Sequence, residues 1–151
     1  MEDTLIIGIG NISRGDDGLG WVFLDILDAQ DFTCEKVYRY QLSLEDAEMI
    51  SRYSQVIFVD ASIRDMDNGY RIKRVINEKQ DVFFSHHLPP DTVLNICSSY
   101  FQKNPKAWLL EIEGYSFDLG DGLSTRAKIN LKKALDQFKR NFIPLETVEL
   151  L

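Results

Sequence analysis

Three stretches carry side chains that can do chemistry. The first is T-L-I-I-G-I-G-N-I-S-R-G-D-D-G-L-G, residues 4–20, which ends in the adjacent carboxylates Asp16 and Asp17. The second is Gln55-Val-Ile-Phe-Val-Asp60, an apolar run closed by an acid. The third, F-F-S-H-H-L-P-P, holds the only two histidines, His86 and His87. Carboxylate oxygen suits hard and borderline cations, and imidazole suits nickel and zinc. Two carboxylates and one imidazole therefore make either a divalent-metal site or an acid–base site. Adjacent residues face different ways, so one histidine at most points into a shared cleft. Each feature also has a plain structural use. One Asp of the pair suffices to cap a helix, worth ~0.5–2 kcal/mol. Asp60 can serve as a cap or a loop ion-pair partner.

The elements that must position these residues follow from the pattern. Leu5, Ile6, Ile7 and Ile9 read as a buried strand, and Leu19 to Leu27 as an amphipathic helix. Phe32 to Tyr40 reads as a second strand. Ser43-Leu-Glu-Asp is a capping box that opens a helix near Leu44–Ser51. Gln55–Asp60 is a central parallel strand ending at its acid. Met66-Asp-Asn-Gly is a turn, and Tyr70–Ile76 alternates charged and apolar residues as an edge strand does. Pro90 opens a helix to about Phe101, and Ala107–Ile112 is a further strand. Ser124 starts a last helix to about Asn141, with Ile129, Leu131, Ala134, Leu135 and Phe138 facing the core.

Strand and helix alternate throughout, with no repeat and no linker. This predicts one domain, residues 1–151. It is a three-layer α/β/α sandwich on a mostly parallel, twisted sheet of about five strands with one antiparallel edge. In such sheets ligands sit at the carboxyl ends of the strands, where Asp17, Asp60 and the histidine loop converge.

Composition removes several classes. The 151 residues carry 17 Lys and Arg against 24 Asp and Glu, a net charge of −7. That opposes sequence-independent nucleic-acid binding and attraction to an anionic membrane. No apolar run reaches the ~20 residues of a membrane helix, and the N-terminus lacks a signal peptide, so a cytoplasmic protein is expected. Cys34 and Cys97 are far apart without a C-x-x-C and read as buried free thiols. Neither H-E-x-x-H nor G-x-S-x-G occurs. Gly8-Ile9-Gly10 opens a dinucleotide fingerprint, but the third glycine position is Ser13, and two carboxylates lie where a pyrophosphate would approach.

G-I-G-N-I-S-R-G-D-D-G-L-G resembles the opening signature of the hydrogenase maturation endopeptidases: G-x-G-N, a few residues, then D-D or D-E, two residues and G. The resemblance covers nearly the whole chain. It places the second acid of the family's pair at Asp17 and its strand-ending Asp at Asp60. It places the His before a later helix at His86, in the register His86-His87-Leu88-Pro89; an offset of one would select His87. The departures are Asp where Glu is common at 17, and the doubled His. The resemblance implies a phosphorylase/hydrolase-like fold and an endopeptidase without a permanent cofactor. Such an enzyme engages nickel already inserted in the precursor of a nickel–iron hydrogenase large subunit through Asp17, Asp60 and His86. It then removes the precursor's C-terminal extension, by water attack, as a monomer. Asp16 is left to capping or loop support, and Asn11 to holding the turn. The alternatives are a nickel-dependent assembly factor that escorts the same precursor without cutting, a dinucleotide-binding oxidoreductase, and a related peptidase for another metalloprotein.

Overall fold

The computed structural model describes residues 3–30, 33–77 and 88–143. Its five strands are β1 (Thr4–Ile9), β2 (Glu35–Arg39), β3 (Gln55–Ser62), β4 (Tyr70–Val75) and β5 (Lys106–Glu113). Its four α-helices are α1 (Leu19–Ala29), α2 (Leu44–Ile50), α3 (Pro90–Phe101) and α4 (Thr125–Phe142). The sheet order is β2-β1-β3-β5-β4. All pairs are parallel except β4 with β5, which is the antiparallel edge the sequence pattern predicts.

β1 and β3 carry the continuous apolar runs Leu5–Ile7 and Val56–Val59 because both of their faces are covered there. Ile6, Ile57 and Val59 pack with Phe23, Leu24 and Phe138 under α1 and α4. The alternate residues Leu5, Ile7, Val56 and Phe58 pack with Ala47, Ile50, Val93 and Cys97 under α2 and α3. Side chains on a strand alternate between faces, so two separate cores form on one sheet.

Three helix starts are set locally. Ser43 and Asp46 form the reciprocal capping box of α2, with the Ser43 amide donating to Asp46 Oδ2 at 2.9 Å. Pro90 occupies the first turn of α3. Ser124 Oγ caps α4 by accepting from the Ala127 amide at 3.2 Å.

Three expectations need correction. β3 does not end at Asp60 but runs on to Ser62, because it stays paired with β5 as far as Glu113. β2 begins at Glu35, while Phe32 lies outside the described residues. Ile129 is exposed. The buried set of α4 is Ala127, Asn130, Leu131, Ala134, Leu135 and Phe138, a helical stripe that leaves Ile129 outside. Asn130 takes the buried place because its amide is satisfied there, donating to Glu113 O at 3.0 Å and to Tyr115 Oη at 2.8 Å.

Candidate active site

The turn after β1 is built on close approach. Gly10 has φ +141°, and a Cβ there would fall 1.9 Å from the Asp17 carbonyl oxygen. At Gly20, in the first turn of α1, a Cβ would fall 2.5 Å from Val59 O and 2.7 Å from Ile9 O. Only glycine lets α1 begin this near the carboxyl ends of β1 and β3. Asn11 holds the turn, its Oδ1 accepting from the Ser13 amide at 2.9 Å. Gly15–Gly18 then forms a short 3-10 turn that carries both acids.

The two acids part company here. Asp16 is fully buried. Its carboxylate accepts from the amides of Tyr115 (2.8 Å), Ser116 (3.1 Å) and Ser124 (2.7 Å) and from the Ser124 hydroxyl (2.7 Å). Burial alone would raise its pKa, but these donors, led by the Ser124 amide, hold it below the ordinary value. Asp16 caps no helix; it ties the β5–α4 loop to the β1 turn.

Asp17 is half-buried and faces a cleft of ≈ 510 Å³ whose lining includes Tyr40, Leu42, Asp60, Leu88 and Pro89. Burial raises its pKa against the pull of the Asn11 amide and the Arg14 charge. Asp60 projects from β3 on the α2/α3 side, in alternation with Phe58 and Val56. Burial pushes its carboxyl up to about 7; the charges of Asp17 and Glu111 add to this, and the Ala61 amide opposes it. Glu111 lies beside Asp60 in register on β5 and is held by Arg71 Nη2 at 2.5 Å, with Lys73 at 3.7 Å.

The far wall of the cleft is fixed by Arg39. Its carbonyl accepts from the Gly10 amide at 3.0 Å and from Trp21 Nε1 at 2.9 Å. Its guanidinium donates to buried Asp46 at 2.9 Å. Tyr40 stacks on Trp21, ring centroids 5.1 Å apart. Cysteine chemistry finds no support here. Burial raises both thiols, Cys97 to about 11, whereas a nucleophilic cysteine needs a lowered value. Cys97 Sγ donates to Ala47 O at 3.2 Å, and Cys34 is only partly buried.

The structure thus brings Asp17 and Asp60 to one cleft and takes Asp16 away from it. His86 and His87 lie outside the described residues. Among the described residues no group of three or more His, Cys, Asp or Glu is arranged to hold a metal ion. Sequence reasoning missed Tyr40, Leu42 and Glu111. Glu111 had a signal, since it is the single charge inside an apolar strand two residues from its end, as Asp60 is.

No family model and no curated protein matches the sequence. Solved structures do. The chain is similar to the NiFe hydrogenase maturation protease HycI from Thermococcus kodakarensis KOD1, at 21% identity, 91% of this chain, 90% of that one and a TM-score of 0.68. It is similar to the hydrogenase maturating endopeptidase HybD from E. coli at 20% identity, 91% and 90% coverage and a TM-score of 0.66. A hydrogenase 2 maturation peptidase from a thaumarchaeote gives 16% identity, 94% and 99% coverage and a TM-score of 0.66. The fold is therefore the one these maturation proteases share, over nine-tenths of the chain.

Proposed function

We propose that the chain is an endopeptidase that removes the C-terminal extension of the nickel-loaded precursor of a nickel–iron hydrogenase large subunit. One observation carries the reading: the carboxylates of Asp17, after β1, and Asp60, on β3, line one cleft, where burial, with the Asp17 charge adding to it, favours the neutral form of Asp60. Such a pair is relieved by a divalent cation, and carboxylates are suited to one of borderline character. The precursor's own nickel is that cation. Asp17 and Asp60 engage it, with His86 as the third ligand, and the protein carries no permanent metal. The fold shared with the maturation proteases supports the choice of substrate.

The scissile carbonyl is attacked by water, with either the substrate's metal polarising the carbonyl or a carboxylate accepting the water's proton. A covalent intermediate has no support, because neither described thiol is activated. No helix among the described residues is long and apolar enough to cross a membrane. The reading places the protein in the cytoplasm, acting as a monomer.

The test is an in vitro processing assay in which nickel-loaded precursor is incubated with the purified protein and its shortening is followed by electrophoresis. Asp17→Asn, Asp60→Asn and His86→Ala each lower the rate by about a hundred-fold or more, beyond what loss of an outer-shell partner costs a metal site. His87→Ala retains it. A dead His87→Ala beside an active His86→Ala moves the ligand by one residue. Binding of the precursor without shortening replaces the endopeptidase by a nickel-dependent escort using the same residues.

A further inference from the structure

Two carboxylates do not account for the cleft that holds them. The rest of its lining is mostly apolar: Ile9, Tyr40, Leu42, Leu88, Pro89 and Pro90. Gln41 is the one uncharged polar side chain there, and no Lys or Arg among the described residues joins it. Ile9 ends β1, Tyr40 and Leu42 lie between β2 and α2, and Leu88-Pro89-Pro90 leads into α3. Three separate segments thus bring hydrocarbon to the place where Asp17 and Asp60 meet.

This lining is ordered before anything binds. Leu42 and Leu88 are 2% and 8% exposed and belong to the α2/α3 core, so packing fixes them. Tyr40 is 68% exposed, yet its ring is braced. It stacks on Trp21, whose Nε1 donates to Arg39 O at 2.9 Å. Trp21 also meets Tyr38 edge-on, ring centroids 5.3 Å apart, and the Tyr38 hydroxyl donates to Asp25 at 2.5 Å. An exposed aromatic ring held in this way offers a contact surface that binding need not order.

We infer that the apolar lining is a subsite for one large apolar side chain of the substrate, next to the scissile bond, and that Tyr40 sets its size preference. The inference rests on reading the cleft as the cutting site, and it names a residue class that the precursor must carry there. The lining selects the occupant. A polar side chain set against Leu42 and Leu88 gives up water with Gln41 as its only neutral partner. An acidic one meets the charges of Asp17 and Asp60. A basic one would be drawn to those carboxylates, but in this reading the precursor's nickel engages them. What then faces the neighbouring residue is hydrocarbon, against which an apolar side chain gains by leaving water.

The test is the processing assay, with the cut located by the mass of the released tail. Each of the two residues flanking the cut is set in turn to Leu, Ala, Asp and Lys, and the nickel content of every precursor is measured. At one of the two, the wild type favours Leu over Ala by about ten-fold or more in kcat/KM, and handles Asp and Lys worse than Ala. Tyr40→Ala shrinks that Leu-to-Ala ratio about three-fold or more and leaves the ratio at the other residue unchanged. Tyr40→Phe keeps the ratio because it keeps the ring. Tyr100→Ala, 75% exposed on α3 and outside the cleft lining, keeps it as well. Melting curves verify folding. A wild type without preference at either residue overturns the subsite and leaves the endopeptidase standing. So does a preference for Lys over Leu, which gives the lining to a basic side chain, and so does a Leu-to-Ala ratio that Tyr40→Ala leaves unchanged. A wild type that shortens none of the precursors ends both readings.

Discussion

Asp16 and Asp17 share a peptide bond and have opposite roles, and the donors around each decide which. Asp16 meets three amides and a hydroxyl, so its ionised form is favoured. A depressed pKa stabilises the fold above the unfolded value of 3.8, and that stability is lost as pH falls through the folded value. Asp16→Asn sets an amide NH2 among donors, and it should cost roughly 2–3 kcal/mol at pH 7, read by urea denaturation, with a difference from the wild type that shrinks as pH falls below 3.8. Asp60 works with the opposite sign. Below pH 3.8 its carboxyl is neutral in both folded and unfolded chains and costs nothing. Between there and about 7 the unfolded chain ionises first, so stability falls as pH rises through the folded value. Asp60→Asn removes that cost, at most a few kcal/mol at ~1.4 kcal/mol per unit. The variant should melt several degrees above the wild type at pH 8 and level with it at pH 4, while losing processing. A carboxylate that weakens the fold at working pH is one retained for what it binds. Equal melting temperatures at pH 8 would remove this argument.

The elements that carry the acids were legible where local physics decides alone. The apolar runs of β1 and β3, the Ser43–Asp46 box, Pro90 and Ser124 announce themselves through propensity, capping and periodicity. The mainly parallel sheet and its antiparallel edge followed from strand–helix alternation and from the charged pattern of Tyr70–Val75, whereas the strand order did not. What was not legible depends on contacts distant in sequence. Asp16 read as capping or loop support without a choice between them, because its donors at Tyr115, Ser116 and Ser124 lie about a hundred residues away. Ile129 read as core because an apolar residue on α4 is ordinarily buried, and nothing local shows that Asn130 finds better partners. Of the site, Asp17 and Asp60 could be paired in advance by strand-end logic, whereas Tyr40 joins only through the stack on Trp21. The glycines belong to this scale. Gly20→Ala drives a methyl against Val59 O and Ile9 O, so the first turn of α1 must lift from the strands. We expect a loss of about 1–3 kcal/mol, as for overpacking, together with a larger fall in processing than the stability loss explains, because the Asp17 turn precedes that helix. Ala at exposed Gly122, which has open space, leaves Asp17 untouched and keeps the rate, at the cost only of its φ of +90°.

At the scale of the whole molecule, one sheet separates two cores, and the site is built at the strand ends, where Leu42 and Leu88 at the edge of the α2/α3 core line its cleft. Mutations deep in one layer should therefore be invisible to the other. Ile6 and Ile7 put this to a sharp test, since they are adjacent in β1 and both fully buried. Ile6 packs under α1 and α4, and Ile7 under α2 and α3. Ile57, though distant in sequence, is the register partner of Ile6 on β3 and shares its core. Each Ile→Val change should cost about 0.5–1.5 kcal/mol. Groups without shared partners add, and groups in contact do not. The pair Ile6→Val with Ile7→Val should then be additive to within ~0.5 kcal/mol in urea denaturation. The pair Ile6→Val with Ile57→Val should depart from additivity by about that much or more, because the second truncation relaxes into space left by the first. Processing rates measured well below the melting temperature should be unchanged in all of these variants, since none of the three side chains reaches the cleft. Coupling between Ile6 and Ile7 larger than that between Ile6 and Ile57 would mean that the layers communicate through the strand itself. A rate change in the Ile7 variant would mean that the α2/α3 core tunes Asp60 from below.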